Sequence, residues 1–262
     1  MTAELTVVGG GKMGAALLAG LLQAGWAPEA LCVVEALPSR RDELAASLTG
    51  VRVTDEVAAG LGVVLAVKPD DVEAAARAVA GAGAQRVLSI AAGVPLATLE
   101  AALGEIPVVR AMPNSPALVG AGMAAVAAGS LSGEADLAWA ESVLGAVGEV
   151  ARVPEVLLDA VTGVSGSGPA YVFLLAEALV DAGVLVGLPR PLSTQLALQT
   201  LLGSARLLVE SGDGPEALRA AVTSPAGTTA AGLRALEAAG LRSAVLDAVV
   251  AATERSRQLG GG

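Results

Sequence analysis

The chain has 262 residues, which is enough for two domains with substantial cores, and a formal net charge of −10. Because no basic stretch is present to neutralise phosphates, a nucleic-acid-binding surface is excluded. The absence of histidine excludes His-based triads, His metal sites and the usual proton shuttle near neutral pH, and no cysteine pair or dense carboxylate cluster indicates a metal.

Cys32 is the only cysteine, so no disulfide can form within the chain and we expect a cytoplasmic protein. Apolar residues make up 54% of the chain, yet no run reaches the roughly 18 uncharged apolar residues of a membrane span. We therefore expect neither a membrane nor nucleic acid among the partners.

A glycine-rich turn, residues 9–14, follows the first predicted strand at 5–8 and precedes a helical pattern at 15–24. Strand, G-x-G-x-x-G and helix in this order are typical of a dinucleotide-binding site. The first glycine permits the tight turn, the second lets a pyrophosphate approach the backbone, and the third lets helix and strand pack closely. The residues assigned to this site are Gly9, Gly11, Lys12, Met13 and Gly14.

The second predicted strand, Leu31–Val34, ends at Glu35, close to where an acidic residue bonds the adenosine ribose of NAD. Arg40 and Arg41 follow, and guanidinium groups suit the 2′-phosphate of NADP. Both arginines could instead lie in the solvated first turn of a helix that begins near Ser39. The choice between NADPH and NADH stays open at this point.

Apolar, β-branched strands alternate with helical patterns through the rest of the first half, which is typical of a parallel sheet covered on both faces. The predicted strands cover 51–53, 63–67, 86–90, 123–127 and 148–153, and the predicted helices begin near Asp55 or cover 70–80, 96–103 and 135–146.

Ligands of such sheets bind beyond the carboxyl ends of the strands, so three segments that follow strands are candidates for the site. Lys68 could face the cofactor or belong to a helix entry, and Arg110 and Asn114 could be polar site residues or loop anchors. The candidates for contacting the cofactor are Ala66, Val67, Lys68, Pro69, Ala92 and Gly93, and those for the substrate are Met112 and Asn114.

From Pro154 onward only helical patterns occur, which predicts domains at 1–153 and 154–262. Several of these helices are apolar around much of their circumference, so we expect burial against a partner, most simply a second copy of the chain. The predicted helices cover 156–164, 169–182, 191–211, 215–222, 228–239 and 242–258.

Small hydroxyl residues, a proline and a glycine lead into the helix predicted from Thr228. The N–H groups of about 227–230 are expected to lack intrahelical partners, and Ser224, Thr228 and Thr229 add hydroxyls. Such a helix start can hold a carboxylate, or it can be an N-cap that merely ends a loop.

Five segments in register resemble pyrroline-5-carboxylate reductase over nearly the whole chain. The departures are modest: Gly14 stands where Ala is common, and Thr54 stands near a position where an Asn that contacts the cofactor is often found. The resemblance implies an α/β Rossmann-like dinucleotide-binding domain followed by an all-α dimerisation domain. It also implies interlocked homodimers, for which a decamer of five dimers is one further assembly. The matching segments are 9–14, 66–69, 110–116, 165–171 and 215–237.

The resemblance also implies that NADPH, with NADH as the alternative cofactor, reduces 1-pyrroline-5-carboxylate to L-proline. We expect the substrate carboxylate to dock on Ser224, Gly227, Thr228 and Thr229. Thr229 is then expected to bond the ring nitrogen, so Thr229 and Ser224 are the predicted catalytic residues.

Two other kinds of function compete with this interpretation. A β-hydroxyacid dehydrogenase or ketopantoate reductase uses a lysine of the second domain, and no lysine follows Lys68. A reductase of another cyclic imine passes that test. A protein that senses NADP without turnover would keep the three glycines but would have no need of residues 223–229.

Overall fold

A computed structural model describes residues 3–57 and 60–261. Its contacts divide the chain into two compact units. The first unit runs to Ser167 and includes the end of the chain from Val250, whereas the second unit is Gly168–Val249. The domain boundary placed after Val153 from the sequence stays a prediction.

Eight strands form one sheet in the described part of the first unit. The run Leu31–Val34 illustrates why these segments form strands: four buried apolar residues in succession suit a strand that is covered on both faces. The strands are β1 (Ala3–Val8), β2 (Leu31–Val34), β3 (Arg52–Thr54), β4 (Gly60–Leu65), β5 (Arg86–Ser89), β6 (Val108–Met112), β7 (Gly122–Ala128) and β8 (Gly148–Arg152). Their order is β3-β2-β1-β4-β5-β6-β7-β8, and every neighbouring pair is parallel except β6 and β7.

Helices cover both faces of this sheet. Apolar side chains of α1, α2 and α5 belong to one buried cluster with Leu5 and Val7, and those of α3, α4 and α6 belong to a second with Val63 and Leu65. The sheet with its two helical layers is the Rossmann-like fold expected from the sequence. These helices are α1 (Lys12–Gln23), α2 (Pro38–Ser47), α3 (Val72–Gly81), α4 (Leu96–Leu103), α5 (Glu134–Leu144) and α6 (Leu158–Val161).

The predicted order of strands and helices is confirmed, with one exception in the first unit. The helix predicted from about Asp55 is wrong: residues 55–57 are not helical, 58–59 lie outside the described residues, and β4 already begins at Gly60. The gap between β3 and β4 is too short for a helix, and the Thr54 hydroxyl accepts the Glu56 N–H at 3.2 Å to form a turn.

The helix predicted at 156–164 is confirmed only in part. After α6, the chain forms a π-helical turn at Thr162–Gly166. Two glycines in this five-residue segment lower its α-helical preference, which fits the change of helix type.

The second unit is helical, and no strand occurs among its described residues. Its helices are α7 (Gly168–Leu185), α8 (Arg190–Glu210), α9 (Pro215–Ala221), α10 (Thr228–Ala238) and α11 (Leu241–Leu259), whose last residues belong to the first unit. A buried hydrogen bond joins α7 and α8: the Ser193 Oγ donates to the Val180 carbonyl at 2.7 Å. Many large apolar side chains are exposed, including Leu185 at 86% and Val209 at 84%.

By length and composition alone, one described helical stretch, Glu155–Leu185, is apolar enough to cross a bilayer. Its mean hydropathy reaches 1.5 in a window of 18 residues. Its longest run without a charged residue is nevertheless shorter than the roughly 18 residues that a membrane span needs. Glu155, Asp159, Glu177 and Asp181 place four carboxylates along it. The stretch is therefore weak evidence for a membrane and stronger evidence for an unsatisfied apolar surface.

Candidate functional site

The first and third glycines of the turn after β1 are required by its backbone. Gly9 has a φ of +107°, its N–H donates to the Val34 carbonyl at 2.8 Å, and a Cβ at this position would lie 2.5 Å from the Ala66 carbonyl oxygen. A Cβ on Gly14 would overlap the Gly9 carbonyl oxygen. Strand, turn and helix can meet this closely only because both side chains are absent.

The second glycine, Gly11, has a different role. It is the N-cap of α1 with an ordinary φ of −64°, and a Cβ built on it would meet no described atom within 4 Å. Ala15 makes the first helical bond to the Gly11 carbonyl at 2.9 Å, so the N–H groups of 12–14 precede that bond. An open backbone at a helix N-terminus fits a pyrophosphate, and Lys12 is exposed beside it.

The middle residue of the turn, Gly10, is held from two sides, which the sequence analysis did not predict. Its N–H donates to Glu35 Oε2 at 3.0 Å, and its carbonyl accepts from Arg40 Nε at 2.8 Å. A Cβ at Gly10 would overlap Leu44 Cδ1 and lie 3.2 Å from the Glu35 carboxylate. The fingerprint leaves the position between the first two glycines free, so a glycine at this middle position is the sequence signal for the arrangement. We call it the Gly10 clamp, because Glu35 and Arg40 hold this residue from two sides.

Glu35 therefore lies where the sequence predicts a ribose-binding carboxylate, at the carboxyl end of β2. Its other oxygen, Oε1, accepts the Leu37 N–H at 3.0 Å. Arg41 donates through Nη1 to the carbonyls of Glu35 and Ala36 at 3.0 and 2.8 Å and pairs through Nη2 with Asp55 at 3.3 Å. Both arginines lie in the first turn of α2, but they are not freely solvated there. Arg40 bonds the Gly10 carbonyl in the turn after β1, and Arg41 holds the loop after β2.

The carboxyl ends of β1, β4 and β5 meet at one edge of the sheet, because these neighbouring strands are parallel. The Ala66 N–H continues the β1–β4 ladder by donating to the Val8 carbonyl at 2.8 Å. Lys68 is exposed and directly precedes the short turn Pro69–Asp71. The structure brings all the predicted strand-end candidates for the cofactor to this edge: Ala66, Val67, Lys68, Pro69, Ala92 and Gly93.

Asn114 is fully engaged within the first unit. Its Oδ1 accepts the Met123 N–H at 2.8 Å, and its Nδ2 donates to Ser165 Oγ at 3.1 Å and to the Ser165 carbonyl at 3.3 Å. Met112 packs on the same segment, since a Cβ on Gly166 would lie 2.5 Å from its Cε. These contacts place Asn114 as an anchor of the loop after β6.

A second anchor of this region is a buried ion pair. Arg110, with a side chain only 11% exposed, donates to Glu155 Oε1 at 2.7 Å, and the same oxygen accepts the Leu96 N–H at 2.7 Å. Arg110 is a candidate from its place in the sequence, whereas Glu155 is not. A carboxylate 45 residues away carries no local signal that it pairs with a particular arginine.

The threonine stretch lies in the second unit, at the start of α10. Ala226 has a φ of +57° and is the one non-glycine residue with positive φ in the described parts of the chain. Gly227 is the N-cap, and its N–H donates to the Ser224 carbonyl at 3.1 Å, so it is not among the free donors expected there. Ala231 makes the first helical bond, to the Gly227 carbonyl at 3.1 Å.

The remaining groups at this helix start are open. Thr228 and Thr229 are exposed, and no described side chain caps the helix. A Cβ on Gly227 would overlap Ser224 Oγ, so glycine is needed for the serine hydroxyl to sit against the helix start. The Thr223 hydroxyl instead donates to the Arg219 carbonyl at 2.6 Å, which fixes the end of α9. The N–H groups of 228–230 and three hydroxyls thus surround an accessible helix N-terminus of positive potential.

Two family models match the chain. One, described as pyrroline-5-carboxylate reductase dimerisation, matches residues 155–259, and the other, described as coenzyme F420-dependent NADP oxidoreductase, matches residues 4–93. The chain is 48% identical over 267 residues to a curated pyrroline-5-carboxylate reductase of Synechocystis sp., with 99% of each chain covered. The match to the dimerisation model indicates a homo-oligomer, which accounts for the exposed apolar surface of the helical region.

Solved structures give the same result. The chain superposes on a pyrroline-5-carboxylate reductase from Coxiella burnetii with a TM-score of 0.92 at 34% identity, with 99% of each chain covered. It superposes on the Plasmodium falciparum pyrroline carboxylate reductase with NADP bound with a TM-score of 0.85 at 30% identity, with 98% of each chain covered. Relatives of this kind are soluble metabolic enzymes, so a soluble protein is implied.

Proposed function

The chain belongs to the pyrroline-5-carboxylate reductase family, and from that premise we propose how its residues reduce 1-pyrroline-5-carboxylate to L-proline. It is an NAD(P)H-dependent oxidoreductase that acts on a cyclic C=N bond. When bound, NAD(P)H supplies the hydride that the imine carbon receives. The chain's own residues bind and orient the two reactants and place the charges around them.

Gly9, Gly11 and Gly14 form the cradle that holds the dinucleotide pyrophosphate against the N-terminus of α1, with Lys12 beside it. The support for this assignment is that a Cβ is excluded at two of the glycines and has open space at the third. Glu35 and the loop after β2 hold the adenosine ribose, and the strand-end residues Ala66 and Gly93 line the same edge.

The substrate carboxylate docks at the start of α10, on the N–H groups of 228–230 and the hydroxyls of Ser224 and Thr228. Gly227 contributes by leaving room for the serine hydroxyl. Met112 and Asn114, which lie in the first unit, stay predicted substrate-binding residues. The protonated ring nitrogen donates a hydrogen bond to the Thr229 hydroxyl, which holds the imine carbon in one orientation. The rate enhancement then comes from positioning and from electrostatic complementarity.

One observation carries the substrate assignment. The α10 start has three hydroxyl residues next to it, and among the described side chains none caps it. The missing side-chain cap alone does not distinguish this helix start, because α1, α8 and α9 also begin without a side-chain cap hydrogen bond. The concentration of hydroxyl groups around an uncapped start is the distinguishing feature. Ala226 with its positive φ keeps the loop in this open form, and such strained residues cluster at functional sites.

Thr229→Ala tests the mechanism, with Thr229→Ser as the matched control that keeps the hydroxyl. We expect kcat to fall roughly 10- to 100-fold in the alanine variant, because one hydrogen bond to the reacting group is lost, while the Kd for NADPH and NADH stays unchanged. The serine variant should recover most of the activity. Equal kcat in all three proteins would remove Thr229 from the mechanism.

We further propose that the homo-oligomer is a homodimer formed through residues 154–262, that five dimers assemble into a decamer, and that the protein is cytoplasmic. A groove of about 500 Å³ between α9, α10 and α11 supports association, because it is lined mainly by leucine and valine and does not include residues 224–229. Leu246→Glu should shift the mass measured by light scattering towards that of one chain. Val119→Glu, at a residue 80% exposed in the first unit, is the matched control and should leave the mass unchanged.

A further inference from the structure

We infer that this enzyme prefers NADH to NADPH and that Glu35 is the residue that discriminates against the 2′-phosphate. The inference rests on the proposed dinucleotide site and specifies the ligand of its adenosine end. It settles the conflict between Glu35 and the two arginines that follow it, which the amino-acid pattern alone leaves open.

The Glu35 carboxylate is fixed in place. Oε2 accepts the Gly10 N–H at 3.0 Å and Oε1 accepts the Leu37 N–H at 3.0 Å, so one oxygen is tied to the glycine turn and the other to the loop after β2. A carboxylate has about four lone-pair sites, so each oxygen can still accept a hydrogen bond from a hydroxyl. The group is therefore ready to receive the two ribose hydroxyls of NADH at the position where dinucleotide folds use an acidic residue.

Arg40 is engaged in the same clamp. Its Nε donates to the Gly10 carbonyl at 2.8 Å, and its Nη1 pairs with Glu43 at 2.6 Å. The guanidinium thus holds the opposite side of the peptide that Glu35 holds, and a carboxylate already balances its charge. Moving Arg40 towards a phosphate would release the Gly10 carbonyl.

Arg41 is also committed to the protein. Two loop carbonyls, of Glu35 and Ala36, accept from its Nη1, and Asp55 pairs with its Nη2 at 3.3 Å. Its side chain is only 24% exposed. Arg41 therefore supports the loop that carries Glu35, and its charge is balanced by a neighbouring carboxylate.

The charges of this cluster oppose a 2′-phosphate. Glu43 pairs with Arg40 and Asp55 pairs with Arg41, whereas the Glu35 carboxylate, among the described residues, bonds only main-chain N–H groups. The three carboxylates outnumber the two guanidinium groups, so the cluster carries a net negative charge. A phosphate dianion beside the fixed Glu35 would be repelled, because like charges brought together at an interface are strongly unfavourable. To relieve the repulsion, Glu35 would have to leave the Gly10 N–H, which would unclamp the turn that holds the pyrophosphate.

The test is a calorimetric titration of the whole protein with ADP-ribose and with 2′-phospho-ADP-ribose, which differ only in the 2′-phosphate. We expect the wild-type protein to bind ADP-ribose at least about 10-fold more tightly. Glu35→Ser should change the ratio of the two Kd values about 100-fold in favour of the phosphate, because it removes the repelling charge beside two arginines. Loss of the clamp weakens both ligands, so the ratio isolates discrimination.

Glu29→Gln is the matched control, since it removes one exposed carboxylate at the other end of β2 and should leave the ratio unchanged within about twofold. Glu35→Gln, which keeps the size of the side chain, serves if the serine variant is unstable and should shift the ratio in the same direction. A wild-type preference for 2′-phospho-ADP-ribose, no binding of either compound, or an unchanged ratio in both Glu35 variants would overturn the inference.

Steady-state reduction of 1-pyrroline-5-carboxylate separates this inference from the proposed function. Turnover with NADH at a higher kcat/KM than with NADPH supports both. Turnover with a preference for NADPH would overturn the choice of cofactor and leave the reductase function standing. No turnover with either cofactor, combined with the expected binding ratio, would overturn the function and leave the role of Glu35 standing.

Discussion

Gly11→Ala separates the stability of the first unit from cofactor binding. The new Cβ would meet no described atom within 4 Å, and the φ of −64° suits alanine. Alanine is a poorer N-cap than glycine by about 0.5–1 kcal/mol, but it also restricts the unfolded chain by a similar amount. We therefore expect the free energy of unfolding to stay within about 0.5 kcal/mol of wild type. The same methyl group would occupy the backbone surface that a pyrophosphate must approach, so the Kd for either dinucleotide should rise at least about 100-fold.

Urea unfolding measures the first quantity, and titration with NADH and NADPH measures the second. Gly9→Ala is the matched comparison, because its φ of +107° and the Ala66 carbonyl oxygen at 2.5 Å make alanine strained at that position. It should lose both stability and binding. If Gly11→Ala binds both dinucleotides as wild type does, the pyrophosphate does not lie on the Gly11 backbone, and the cradle assigned to residues 9–14 is wrong.

Three further predictions follow from single contacts. Glu155→Ala should lower the free energy of unfolding in urea by about 2–4 kcal/mol, because it leaves the buried Arg110 guanidinium unpaired. A change below about 0.5 kcal/mol, the size expected of a surface substitution, would contradict this. Hydrogen bonds from Arg152 lower the pKa of Glu141 below its ordinary value of 4.5. The pair therefore stabilises the fold above pH 4.5, and this stabilisation is lost as the pH falls below that value. The difference in unfolding free energy between wild type and Glu141→Gln should shrink as the pH falls below 4.5, and a growing difference would contradict this. Ala226→Gly should raise the KM for 1-pyrroline-5-carboxylate roughly two- to fivefold with little change in kcat, because a freer loop must be ordered on binding. An unchanged KM would show that the φ of +57° at Ala226 does not preorganise the site.

The elements of this fold could be predicted from the sequence because their signals are local. Apolar runs such as Leu31–Val34 mark buried strands, and Pro, Ser, Thr or Gly at helix ends marks boundaries. The failure near Asp55 has the same origin. The residues from Asp55 are compatible with a helix, but the number of residues between β3 and β4 leaves no room for one. That number depends on where β4 begins to pair with β1 in the sheet.

The site could be predicted only as far as its glycines and hydroxyl residues, whose roles follow from their neighbours in the sequence. The partners of polar side chains could not. Asn114 bonds Ser165 across 51 residues, and Glu35 bonds Gly10 across 25. Such pairs depend on which loops the sheet brings to one edge. The sequence therefore left Arg40 and Arg41 as candidates for a phosphate, whereas their contacts assign them to the protein itself.

The helical unit links assembly to activity, and this leads to a last prediction. Among the described residues of 168–249, only Ala176, Val180, Ser193 and Ala197 are buried, which is too small a core to stabilise so many helices in a single chain. The apolar side chains left exposed must therefore be covered by another copy, and the start of α10 belongs to this same unit. Dilution that separates the copies should lower both the reductase activity per chain and the helical signal in circular dichroism. Both quantities should fall over the same range of protein concentration. If activity per chain stays constant while light scattering shows single chains, the start of α10 is ordered without a partner, and the proposed link between association and substrate binding fails.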